Sequence, residues 1–135
     1  MVFVSVLWVT LISTACMTAI SIVLTLILKT NLIEPYWLNT VLFKKKQNLF
    51  IPGWILHYIT GIGFLYLLHF ILPFLGDHLV LNALISGIIE GILGIVLWHI
   101  LFKITFKPQD IKLSYYYPNL VLAHIVFNYV AISMM

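Results

Sequence analysis

The sequence predicts an all-α, polytopic membrane protein: a four-transmembrane-helix bundle with a short cytoplasmic interfacial helix, forming a single domain over residues 1–135. Three observations predict it. Hydrophobic types make up 63% of the chain and charged types 8%, against roughly 25% charged in a soluble domain, so its solvent must be largely lipid. Four apolar runs reach the roughly 20 residues needed to cross a bilayer. All seven basic residues are lysines, and they fall only in alternate connections.

The first span covers residues 2–28 without one charge. Thr14, Thr18, Ser21 and Thr25 recur on it at helical spacing, so that face points into the bundle. The lone cysteine, Cys16, has no partner for an internal disulfide and leaves the redox compartment unreadable. No positive segment precedes the run, and it is longer than the apolar stretch of a cleaved signal peptide.

The connection that follows carries Glu34 and Pro35, then an apolar stretch with Trp37, then Lys44, Lys45 and Lys46. Pro35 suits a helix start. The pattern predicts a short amphipathic helix in the cytoplasmic interface, with Trp37 and Trp54 at headgroup level and the lysines near anionic lipid. The second span covers residues 54–74, closed by Pro73 and Gly76. Gly53, His57 and Gly61 repeat every fourth residue on one face, which favours close helix packing. After the tight turn at 75–78 comes the third span, 79–102, interrupted by Glu90 and His99. Gly87, Gly91 and Gly94 give it a small-residue packing face. The fourth span covers residues 117–135, with Pro118 in its first turn and Ser114 as a helper cap. Its inward stripe reads Tyr117, Val121, His124, Asn128 and Ala131.

Lys29, Lys44, Lys45, Lys46, Lys103, Lys107 and Lys112 all lie in the first and third connections. Positive loops stay in the cytoplasm, so both termini are expected on the non-cytoplasmic side. Trp37, Trp54, Trp98 and the tyrosines at 115–117 flank that same face, where an aromatic belt belongs.

An ionisable residue inside a span is costly, about 2.5–3.5 kcal/mol when charged at the helix centre, and each one is a candidate site. Glu90 lies near the middle of its span, where that cost favours the neutral acid, and Asn128 is level with it. His57, His99 and His124 come from three helices and converge on the cytoplasmic side, His57 and His99 at similar depth and His124 about one turn deeper. Three imidazoles would suit a metal ion such as Zn, Cu, Fe or Ni, and an axial pair would suit haem. Equally, His57 and His99 would serve as ordinary interfacial residues. Glu90 and His99 are nine residues apart, about 180° around a helix, so they do not share one compact site. His69 and His78 read as interfacial at the opposite face.

Around these residues a resemblance appears. Gly53-Trp54-Ile55-Leu56-His57 with Gly61 and Phe64, Gly87 and Gly91 leading to His99, and Ala123-His124-Ile125-Val126 are similar to the YagU-like small bacterial inner-membrane proteins. The resemblance covers the last two-thirds of the chain. It implies a four-helix bacterial inner-membrane protein and singles out His57, His99 and His124, and it names no reaction. Glu90 between the glycines departs from that pattern.

No nucleophile elbow and no phosphate-binding glycine loop is present, and the few, divided lysines argue against nucleic acid. Three readings remain. In the first, His57, His99, His124, Glu90 and Asn128 form a buried site for a metal ion, haem or a proton, in transport or redox chemistry. The second is a non-catalytic scaffold or accessory subunit, packing as a homo-oligomer or against a partner membrane subunit. The third is a lipid-interacting enzyme with His57 or His99 as general base, which needs a nearby acid that the sequence does not point out.

Overall fold

The computed structural model describes residues 3–135; the expected start of the first span at residue 2 lies outside them. The described residues are helical apart from turns and loops, in the order α1 (Phe3–Leu28), α2 (Glu34–Phe43), α3 (Ile51–Ile71), α4 (Leu79–Ile104) and α5 (Leu113–Met134). Four of these, α3 together with the 3-10 turn Leu72–Phe74 that ends it, are long and apolar enough to cross a membrane. Apolar side chains cover the outside, with Phe3, Leu26, Phe70 and Ile104 all more than two-thirds exposed. Polar groups are gathered inside, which is the inversion expected when the surroundings are hydrocarbon.

The bundle is a chain of neighbours. α4 packs along α5, α5 along α1, and α1 along α3, whereas α3 and α4 barely touch. Small residues set the close approaches. A Cβ at Gly87 would fall 2.5 Å from the Ile125 Cα, and one at Gly91 would fall 2.6 Å from the Val121 Cα. Only hydrogen fits there, so the backbones of α4 and α5 nearly meet. Gly61 does the same for α1, where a Cβ would lie 2.5 Å from the Thr14 hydroxyl.

α2 departs from the expected surface helix. Pro35, Trp37, Leu38, Asn39, Thr40 and Val41 are all buried. The helix therefore seals the lysine-bearing end of the bundle rather than floating with one face in water. Its entry is a hydrogen-bonded turn: the Ile33 amide donates to the Asn31 side chain, the Leu32 amide donates to the Thr25 hydroxyl, and the Trp37 indole donates to the Asn31 carbonyl. Its exit is a left-handed residue, Lys44 at φ 54, with the Lys45 amide donating back to the Asn39 carbonyl, the bonding of a Schellman stop. Lys29, just past α1, is also left-handed at φ 52.

Asn39 then ties α2 to α3. Its amide nitrogen donates to the Gln47 and Phe50 carbonyls, and its oxygen accepts from the Gly53 amide at 2.8 Å. This is an N-cap delivered from another helix, and Gly53 leaves room for it. The aromatic belt also turns inward in part. Trp37 and Trp98 pack edge-on against Tyr116 with centroids at 6.4 and 5.5 Å, and all three are buried. Trp54 stays half-buried, donating to the Asn48 carbonyl. Lys44, Lys45 and Lys46 are exposed.

The fourth span begins four residues earlier than expected, so Pro118 lies inside α5 and Ser114 is not its cap. The bond Pro118 cannot make would go to the Ser114 carbonyl at the exposed end of the helix, where water or headgroups satisfy it cheaply.

Candidate functional site

α1 and α3 approach closely at Gly61, which brings the threonine stripe of α1 against His57, one helical turn away. The His57 Nε2 lies 2.8 Å from the Thr18 hydroxyl. That hydroxyl also donates to the Thr14 carbonyl at 2.7 Å. A hydroxyl has one proton, so toward His57 it accepts, and Nε2 carries a hydrogen.

The other face of His57 meets a residue from outside the spans. Glu34, the first residue of α2, places Oε2 3.2 Å from Nδ1 of His57. This is the one ion pair among the described residues, close in distance though not aligned as a linear hydrogen bond. The Glu34 side chain is 18% exposed and that of His57 only 3%. Burial pushes the Glu34 carboxyl up, but the charge and hydrogen bonding of His57 outweigh it and hold the group below its ordinary value. Since Nε2 already bears a hydrogen, Nδ1 is the nitrogen left to face the carboxylate, and a further proton taken up by the pair would lie between Nδ1 and Oε2.

His124 is the second imidazole here. It lines a cavity with Glu34 and His57, between Phe64 and Phe127. Two such cavities of about 10 Å³ each flank the pair, each about the size of one water. The His124 Nδ1 lies 2.7 Å from the Leu120 carbonyl, which can only accept, so Nδ1 bears the hydrogen and Nε2 is an acceptor. Its ring packs edge-on against Phe64, with centroids at 4.5 Å. Asn119 closes the lysine-end side, donating to the Ser21 hydroxyl and the Leu32 carbonyl.

Toward the middle of the bundle the polar lining continues. Asn128, one turn from His124, donates to the Ser86 hydroxyl at 2.9 Å, which leaves its oxygen as an acceptor. Glu90 is fully buried beside it. Neither Glu90 oxygen nor the Asn128 oxygen has a partner, and a protonated Glu90 donating to Asn128 would satisfy the Asn128 oxygen and one of the two Glu90 oxygens. Thr10, Ser13 and Thr14 add further unpartnered hydroxyls from α1.

The structure does not bring the three histidines of the expected ligand set together. His57 and His124 share one cavity, but His99 is exposed on the outer face of α4. One residue is a 100° turn of the helix; the buried Trp98 takes the inward position and His99 must point away. No group of three or more His, Cys, Asp or Glu is placed to hold a metal ion among the described residues. The cavities beside His57 and His124 are also far too small for haem. Gly87 and Gly91 sit against α5, while Gly94 faces the His124 ring, 3.3 Å from where a Cβ would be. Trp37 belongs to the core rather than the interface, and His69 and His78 are exposed near the opposite end.

Sequence reasoning passed over Glu34. The acid is written in a connection, and only the inward folding of α2 carries it to His57. The one available signal was that Glu34 opens a helix whose next residue is proline, and acids are favoured in a first turn. Against known proteins, no family model, no curated protein and no solved structure matches this chain.

Proposed function

We propose that this integral membrane protein handles a proton at a buried acid–base site, with Glu34 and His57 as the proton-holding pair. The observation that carries the reading is the alignment of Thr18, His57 and Glu34: one imidazole is fixed by a hydroxyl on Nε2 and faces a carboxylate at 3.2 Å on Nδ1. His124 supplies the next acceptor, and Asn128 and Glu90 extend the polar lining toward the centre of the bundle. The short motifs that resemble YagU-like proteins fall on His57 and His124 and belong to the same proposal, as does a bacterial inner-membrane location with the lysine-bearing end in the cytoplasm.

The test is a pH titration of the ring nitrogens of His57 and His124 by NMR, on the full chain in lipid nanodiscs. In Glu34→Gln the shared proton is lost and the His57 Nδ1 resonance moves, while Thr18 still holds Nε2–H. An unchanged His57 Nδ1 resonance would overturn the reading.

A second reading, an enzyme acting on a bilayer-dissolved substrate, is favoured by one observation: Glu34 and His124 also line an open cleft between α3 and α4. His124, whose Nε2 is the free acceptor on that cleft, is then the general base, with Glu34 as the acid beside it.

A further inference from the structure

The sparse contact between α3 and α4 leaves a cleft of about 130 Å³ in the half of the bundle nearer the lysine-bearing end. Thr60 and Phe64 of α3 form one wall and Leu97 and Trp98 of α4 the other, with Glu34 and His124 at the inner end. Leu97 is half-exposed on the outer surface of the bundle, so the mouth opens sideways into hydrocarbon. Gly94 keeps the far wall clear of the His124 ring.

The inner end offers acceptors, because the one donor beside them, the Trp98 indole, is already directed at Glu34. His124 Nε2 is an acceptor, because Nδ1–H is committed to the Leu120 carbonyl. The Thr60 hydroxyl donates to the His57 carbonyl at 2.8 Å, so toward the cleft it offers lone pairs. Glu34 is a carboxylate paired with His57. A head group entering here must donate hydrogen bonds. No lysine lines the cleft, so nothing compensates a phosphate, and a carboxylate beside it would repel one. The volume is close to the roughly 150 Å³ cavity that admits a single benzene ring, and Phe64 and Trp98 offer aromatic faces for such a ring.

We infer that the α3–α4 cleft is a side entrance and binding site for a bilayer-dissolved amphiphile with a hydrocarbon tail and a ring-sized, uncharged, hydroxyl-bearing aromatic head. The hydroxyl donates to His124 Nε2 or Glu34, the ring lies between Phe64 and Trp98, and the tail leaves past Leu97 into the membrane. The site shares Glu34 and His124 with the proton reading but does not need the shared proton. The titration described above is done without ligand, so either idea can fail alone.

The test uses the full chain in nanodiscs and follows the His124 ring nitrogens during addition of 4-decylphenol, its methyl ether 4-decylanisole, or decyl phosphate. The phenol is expected to shift Nε2 saturably. The ether, with the same ring and tail but no donor, should bind roughly tenfold more weakly, the worth of one good hydrogen bond. Decyl phosphate should leave the resonance where it is. Leu97→Trp, which fills the mouth from an exposed position, should weaken phenol binding while the unliganded His124 spectrum stays the same. Equal responses to phenol and ether, no response to phenol, a stronger response to decyl phosphate, or unaltered binding in Leu97→Trp would each overturn the inference.

Discussion

Glu34 reaches the interior from a ten-residue helix that does not cross the bundle, and its carboxylate gains there what a surface acid never has: a fixed imidazole partner. Its contribution to stability has a definite sign. The carboxyl titrates lower in the folded protein than its ordinary value of 4.5. The stabilisation is therefore complete above 4.5 and is lost as pH falls through the lowered folded value. Glu34→Gln should cost about 2 kcal/mol at pH 7, the scale of leaving a buried polar partner unsatisfied, and should lack the acid limb of the wild-type stability curve. Denaturant unfolding in detergent, repeated across pH, checks both. Parallel acid limbs in the two proteins would remove the pair from the account.

At the same scale, legibility in the sequence was uneven. His57, His124, Asn128, Glu90 and the threonine stripe stood out because a polar residue in an apolar run is conspicuous. Their helical spacing also placed them on faces that the structure buries, Thr25 only in part. His99 was equally conspicuous but lies outward, because nothing in the residue types said whether Trp98 or His99 would take the inward position. Glu34 was hidden for the opposite reason: an acid in a connection is unremarkable until the connection folds under the bundle.

Among the elements, the α4–α5 pair is the one whose packing depends most directly on missing side chains. Gly91→Val puts branched carbon where the Val121 Cα already stands at 2.6 Å from a single Cβ. The helices must separate, at a cost of about 3 kcal/mol, the upper end for overpacking. Unfolding in a graded detergent mixture checks the magnitude, and Gly63→Val serves as the control, since a Cβ there meets nothing. Equal losses at the two positions would mean that helix propensity rather than close approach is being measured. Element boundaries were readable where apolar runs stop at charges or glycine. They were less so at α5, where the tyrosines and Pro118 suggested a start that tertiary packing moved to Leu113. α2 was legible as a helix but not as a plug, since burial of Trp37 and Asn39 depends on contacts made across the loop to α3.

For the whole molecule, alternation of charge is the organising feature. The Phe3 end of α1, the end of α5 and the 75–78 turn lie at one end, and α2 and the lysines lie at the other. If the lysine-bearing end faces the cytoplasm, single cysteines at 45 and 107, placed in a Cys16→Ser background, should resist a membrane-impermeant thiol reagent in intact cells, while one at 77 should react. Labelling of 45 and 107 from outside would invert the orientation. The four-helix class followed from bulk composition and run length, properties that no local rearrangement alters. The open α3–α4 seam did not, because it reflects which helices fail to meet.

The two left-handed lysines carry a conflict between translation and thermodynamics. A side chain at positive φ is disfavoured by about 1–2 kcal/mol relative to the right-handed region, and glycine is the residue that relieves it. Lys29→Gly or Lys44→Gly should therefore raise the temperature at which the finished protein loses its helical circular dichroism. If the lysine-bearing end is the cytoplasmic one, each also subtracts a charge that holds its loop back during insertion, and with Lys45 and Lys46 next door that loss should matter more at Lys29. A sequence optimised only for the finished fold would have punctuated both helices differently.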